Sequence, residues 1–132
     1  MRVLIRARIY PTESLEKVKM AIENLFSSLE FEVGEKEEER YITAVGGGKE
    51  CLEKFYRRLR EQRILDAARG VMLSSLQGNK VSFHLNKQAA YAGYVNFSEE
   101  SPLGAIEVEI EAEEIESLID WLAPRTIEGR EV

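Results

Sequence analysis

Val3, Ile5, Ala7 and Ile9 alternate with Arg2, Leu4, Arg6 and Arg8 at the start of the chain, the period-two pattern of a strand with one apolar side. Pro11-Thr12-Glu13-Ser14 supplies a turn and cap, and Leu15, Val18, Ile22, Leu25 and Phe26 then recur at helical spacing. Phe31 and Val33 begin a second short strand. The charged stretch from Glu35 to Arg40 is expected to be an exposed hairpin loop, after which Tyr41 to Val45 resumes extended character. Gly46-Gly47-Gly48 stops that strand, and Leu52, Phe55, Tyr56 and Leu59 make the apolar stripe of a second helix, opposite Lys54, Arg57, Arg58 and Glu61. The helical phase slips after Leu59, where Leu65, Ala68 and Met72 start a new set. A kink or two packed helices reconciles both.

Ser74 to Asn79 reads as a loop. Val81, Phe83 and Leu85 alternate with Ser82, His84 and Asn86 as a strand, and Val95-Asn96-Phe97 suggests another, so that two strands flank Lys87-Gln88-Ala89-Ala90. The clearest strand sets Ile106, Val108 and Ile110 against Glu107, Glu109 and Glu111. Glu113 and Glu114 suit the first turn of a last helix with stripe Ile115, Leu118, Ile119 and Leu122, which Pro124 stops. Helices interspersed with hairpins predict an α+β fold whose mixed or antiparallel sheet is covered by helices on one side. A single domain is expected over residues 1–124, with a short, loose C-terminal tail over 125–132.

With 132 residues the chain suits one hydrophobic core. Charge breaks every apolar run well before the roughly 18 residues of a membrane span, and Met1-Arg2 leads into Val3-Leu4-Ile5 without a secretory signature. A cytoplasmic protein without membrane contact is expected. The lone Cys51 excludes an intramolecular disulfide and a thiol-rich metal centre. Charge changes the picture most. Lys49 to Lys87 holds nine basic and four acidic residues, whereas Gln88 to Val132 holds two basic and eleven acidic ones. Although the net charge is −6, the basic middle points to a polyanionic partner such as RNA if its cations share one surface.

No segment has the spacing of a catalytic or metal centre, and neither a cofactor nor enzymatic activity is expected. Gly46-Gly47-Gly48-Lys49-Glu50 lacks the Walker spacing and the hydroxyl that would meet magnesium, so a strand-to-helix turn is preferred there to an anion cradle. His84 is the sole histidine, so a multi-histidine metal centre within the chain is excluded. Cys51 has no sequence-local general base and reads as a small core residue. The acidic runs Glu37-Glu38-Glu39 and Glu113-Glu114 suit a solvated loop and a helix start.

Arg57, Arg58, Arg60 and Arg63 form the set best suited to phosphate, and Arg69 or Lys80 extends the track. Partners Glu53, Glu61 and Asp66 leave an ordinary charged helix surface as the competing reading. His84, Asn86, Lys87, Gln88 and Tyr91 add the cations, amides and aromatic ring that RNA recognition uses, whereas Phe83, Tyr91, Tyr94 and Phe97 equally suit a core. Neither an RRM aromatic motif nor a GXXG clamp is present.

Pro11-Thr12-Glu13-Ser14, Asn24-Leu25-Phe26, Ile64-Leu65-Asp66-Ala67-Ala68-Arg69, the run from Phe83 to Tyr91, and Pro102-Leu103-Gly104 together carry a resemblance over nearly the whole chain. It resembles a small archaeal family of uncharacterised proteins credited with RNA binding and a ribosomal protein L5-like fold. Where that family commonly has Thr after the aspartate, this chain has Ala67. The resemblance implies the L5-like fold and, by analogy alone, RNA contact; it brings no catalytic set. The expected function is a noncatalytic RNA-associated domain that binds the phosphate backbone through a basic surface. The alternative is a protein-interaction or scaffold domain, including a homodimer formed through a strand edge or apolar helix face.

Overall fold

In the computed structural model, which describes residues 1–98, 102–128 and 130–131, β1 (Arg2–Ile9) lies in the middle of a five-stranded sheet of order β2-β3-β1-β5-β4. Its neighbours are β3 (Glu39–Gly46), with Val3 opposite Gly46, and β5 (Ala105–Glu111), with Arg2 opposite Glu111. The edges are β2 (Glu30–Lys36), paired to β3, and β4 (Lys80–Asn86), paired to β5. Every pairing in this sheet is antiparallel.

Because side chains alternate across a strand, Val3, Ile5, Ala7 and Ile9 share one side of the sheet with Ile42, Ala44, Val81, Phe83, Leu85, Ile106, Val108 and Ile110, and all are buried. Five helices contribute to the same apolar core: α1 (Leu15–Leu25), α2 (Glu53–Glu61), α3 (Leu65–Ser75), α4 (Lys87–Tyr91) and α5 (Ile115–Leu122). The opposite side carries Arg2, Arg6, Arg8, Tyr41, Thr43, Ser82, His84 and the Glu107, Glu109, Glu111 comb. The centre of the core is aromatic. Phe55 of α2 stacks between Phe26 at 5.3 Å and Phe83 at 5.5 Å, with Phe97 edge-on at 6.4 Å.

Local chemistry explains the boundaries. Ser14 Oγ caps α1 by accepting from the Lys17 N–H. Gly46 ends β3, a 3-10 turn over Lys49–Leu52 follows, and α2 continues from Glu53. The phase slip after Leu59 is a break into two helices, with Arg63 between them at φ 56°.

Several elements differ from their sequence expectation. The strands run through most of the charged stretch expected as a loop, leaving Glu37 and Glu38 to make the reversal at φ 54° and 68°. Positive φ at both central residues matches the right-handed twist of the flanking strands. The third helix extends to Ser75, into the expected loop. Residues 87–91 are helical because the Asn86 side chain accepts from the Ala89 N–H and caps α4. Val95-Asn96-Phe97 forms no strand, although the Asn86 N–H donates to the Asn96 carbonyl at 2.8 Å. The last helix begins at Ile115, just after the two glutamates expected in its first turn.

Where a loose tail is expected, β6 (Thr126–Ile127) pairs with β7 (Arg130–Glu131). Thr126 Oγ1 donates to Asp66, and Arg60 forms an ion pair with Glu131. Gly129 and Val132 of that segment lie outside the described residues. Among the described residues, no helix is long and apolar enough to cross a membrane.

Candidate nucleic-acid interface

The basic residues of the middle third do not form one stripe, because several are consumed by the fold. Arg60 lies over Tyr56 and donates to the Tyr56, Leu122 and Trp121 carbonyls at 3.1–3.2 Å. Arg69 donates to the Ala123 carbonyl at 3.1 Å and pairs with Asp120 at 2.9 Å. These two side chains hold the end of α5 against α2 and α3. Lys87 Nζ is buried, donating to the Arg8 and Leu103 carbonyls at 2.7 Å each and to Glu13 Oε1 at 3.0 Å. Asn86 spends its side-chain oxygen on the α4 cap. Arg63 is exposed at the α2–α3 turn.

Lys80 and His84 lie across the sheet from the helices, on its open side. Lys80 pairs there with Glu109 at 3.1 Å, His84 Nε2 is 4.0 Å from Glu107, and Arg8 pairs with Glu39 at 3.3 Å. Arg6 lies over the Tyr41 ring at 4.2 Å and Arg8 over Tyr10 at 4.1 Å. Carboxylates thus accompany the cations on this side, which weakens its pull on a polyanion.

The hydrogen bond that Tyr41 donates to Glu39 at 2.5 Å raises the phenol pKa above its ordinary 10.0, assisted by desolvation and the Glu39 charge and opposed by Arg6 and Arg8. The bond to the Glu39 carboxylate is therefore lost as the phenol ionises, above pH 10. An NMR-monitored titration is expected to show Tyr41 ionising above 10, and Glu39→Gln is expected to move its midpoint down; an unmoved midpoint would contradict Glu39 as the cause.

A different group converges where α1, α2 and α4 meet. Asn24 of α1 donates to the Ala90 and Tyr91 carbonyls at 3.1 and 3.0 Å, fixing the end of α4. The following turn places Gly93 at φ 89°, a left-handed conformation that favours glycine. Arg58 Nη2 lies against it, 3.6 Å from where a Gly93 Cβ would stand. Tyr91 and Tyr94 flank this turn, 45% and 57% exposed. Arg57, Arg58, Lys54, Asn24 and Glu61 line a recess of about 380 Å³. Tyr91 itself, with Lys17, Gln88, Thr12, Ser14 and Leu103, borders a second recess of about 330 Å³. Lys17 Nζ is 6.0 Å from the Tyr91 ring centre, Lys54 Nζ donates to the Glu23 carbonyl at 2.8 Å, and Arg58 pairs with Glu61 at 2.9 Å.

Of the residues picked out in the sequence, Arg57 and Arg58 border the first recess, and Gln88, Tyr91 and the buried Lys87 border the second. Sequence reasoning missed Lys17, Asn24 and Lys54 as members and named Tyr94 only among the aromatics that equally suit a core. The available signal for Tyr94 was Gly93, since a glycine turn after a short helix can redirect the next side chain outward. Among the described residues, no group of three or more His, Cys, Asp and Glu side chains is placed to hold a metal ion.

Comparison with known proteins agrees with a nucleic-acid reading. A family model described as RNA binding matches residues 2–112. The UPF0201 protein of Thermococcus onnurineus is 44% identical over 127 residues, covering 96% of this chain and 94% of that protein. A UPF0201 protein of Methanopyrus kandleri is 46% identical over 144 residues, covering 99% and 89%. The crystal structure of the UPF0201 protein from Methanococcus jannaschii superposes with a TM-score of 0.92 at 40% identity, covering 100% of this chain and 99% of that one. With relatives this similar along nearly its whole length, the chain belongs to the archaeal UPF0201 family, within the reach of the family model described as RNA binding.

Proposed function

We propose that this domain binds RNA, without catalysis, on the helical surface where Lys17, Lys54, Arg57 and Arg58 surround Tyr91 and Tyr94. The observation that carries the reading is that exposed Tyr91 has Lys17 Nζ 6.0 Å from its ring, and exposed Tyr94 follows the Gly93 turn that Arg58 lies against, in a chain that the RNA-binding family model matches. Cations attract phosphate regardless of sequence, while exposed rings offer stacking platforms to unpaired bases. Arg63 extends the cationic surface from the α2–α3 turn, and Gln88 supplies an amide beside Tyr91. Arg60, Arg69, Asn86 and Lys87 support the fold in this reading, and Lys80 and His84 lie on the opposite side of the sheet. A cytoplasmic location belongs to the same reading, as does kinship to the L5-like fold, an analogy that contributes no residue.

The test is fluorescence anisotropy with labelled single-stranded RNA across a salt series. Tyr91→Ala and Tyr94→Ala are each expected to weaken binding by about 1–3 kcal/mol if the ring stacks on a base. Arg57→Glu/Arg58→Glu is expected to weaken binding and to reduce the log–log salt slope by about 1.4, because each phosphate that a cation neutralises on a single strand contributes about 0.7. Lys80→Glu is expected to change neither substantially. Wild-type affinity that is absent, or that falls only with Lys80→Glu, would overturn the assignment.

A further inference from the structure

The two edges of the sheet are finished differently. On β4, the Ser82 N–H donates to Ser75 Oγ at 3.0 Å and the Asn86 N–H to the Asn96 carbonyl at 2.8 Å, so neighbouring segments occupy its outer edge. Among the described residues, β2 pairs with β3 on its inner edge, and no other segment's backbone pairs with its outer one. Val33 sits opposite Ile42 on the helix-covered side, yet is 46% exposed. Lys19 Nζ lies over Phe31 at 4.9 Å, placing α1 above the preceding apolar position of the strand. An open backbone edge and an uncovered valine therefore coincide on one seven-residue strand.

We propose that β2 pairs antiparallel with β2 of a second copy of this chain, about a two-fold axis at Val33, joining the two sheets into one. A two-fold perpendicular to the sheet requires paired positions to add to an even number, so that side chains opposite one another share a side. Centring the axis on Val33 places Val33 against the partner's Val33 and Glu30 against the partner's Lys36, twice by symmetry. It also sets Glu32 against the partner's Gly34, where no side chain intervenes, and Phe31 against the partner's Glu35 at the flank. Centring the axis on Glu32 would oppose two glutamates directly, and centring it on Gly34 would keep Glu32 against the partner's Lys36 but set Val33 against the partner's Glu35 and lose the valine pair.

Like charges directly opposite are unfavourable, whereas opposite charges and apolar pairs support a ladder. The charges of Glu30, Glu32, Glu35 and Lys36 discourage promiscuous pairing at an exposed edge, and the Val33-centred register combines a complementary Glu30–Lys36 pair with a Val33–Val33 contact. This charge complementarity within β2 itself makes a second copy of the chain the fitting partner. The inference is independent of RNA binding.

The test is sedimentation equilibrium on the full chain without RNA. The wild type is expected to dimerise, and Lys36→Glu and Glu30→Lys are each expected to raise the dimer dissociation constant by about tenfold or more. Glu30→Lys/Lys36→Glu restores the complementary order and is expected to return it to within about threefold of wild type. Oxidised Val33→Cys is expected to form a symmetric disulfide, because directly opposed Cβ atoms are close enough to bridge; Leu73→Cys on α3 is the control. Circular dichroism checks that every variant folds. A chain that stays monomeric at every concentration reached would overturn the interface. A dimer unaffected by the single reversals, or not restored by the double swap, would overturn the β2 register.

Discussion

Replacing Lys87 with methionine is expected to destabilise the protein by about 3–5 kcal/mol, the usual cost of breaking a buried ion pair from one side. Lys87 and Glu13 have side chains only 5% and 9% exposed, so the substitution leaves the Glu13 carboxylate confined without its cation. The Arg8 and Leu103 carbonyls lose their ammonium donor as well. Because Glu13 also accepts from the Tyr10 N–H at 2.9 Å, Glu13→Gln in the same background removes the charge while retaining a carbonyl acceptor. The double variant is therefore expected to be more stable than Lys87→Met alone. Urea denaturation of the two variants and the wild type measures this directly. A Lys87→Met loss below about 1 kcal/mol would show that the ion pair is not buried in solution as it is here.

Phe55→Ala is expected to have an effect of the same size, about 3–5 kcal/mol, for a different physical reason. The ring is fully buried among Phe26, Phe83 and Phe97, which come from the end of α1, from β4 and from the segment after α4. Truncation removes transfer free energy and leaves a cavity bordered by rings held on separate elements, so the site cannot close by moving one side chain. Phe55→Leu is expected to cost less, because it retains much of the volume. Thermal denaturation is expected to show the order wild type, Phe55→Leu, Phe55→Ala, with the alanine variant lower by about 10–20 °C for a domain of this size. A shift of a few degrees for Phe55→Ala would contradict a close-packed aromatic centre.

Local periodicity made much of the scaffold legible. β1, β4 and β5 follow from alternating apolar residues, and α1 and α5 from their helical stripes. The region from Lys87 to Phe97 was less legible because its conformation depends on partners distant in sequence. Lys87 reaches residues near the end of β1 and at Leu103, while Asn24 fixes the end of α4. A lysine in a charged sequence gives no local sign that carbonyls from two remote segments will surround it.

The same distinction divides the candidate site. Arg57 and Arg58 are readable as cations on the polar side of a helix. Arg60 belongs to that run by composition but is diverted to carbonyls at the end of α5, and Arg69 is diverted likewise. Charge density indicated the region, whereas selection among its members depended on which carbonyls and carboxylates the fold brought within reach. Tyr94 shows the converse: its aromatic ring suggested burial, but the Gly93 turn leaves it exposed.

The central position of β1 also imposes an order on synthesis. β1 is made before its neighbours β3 and β5, so one of its edges waits for residues 105–111. As the chain leaves the ribosome from its N-terminus, the half of the sheet made of β1, β3 and β2 can assemble early, but the other neighbour of β1 emerges only after most of the domain has been made. Closure of the sheet is thus a late, long-range event, and the nascent chain carries an unfinished interior edge throughout the synthesis of the residues between β1 and β5.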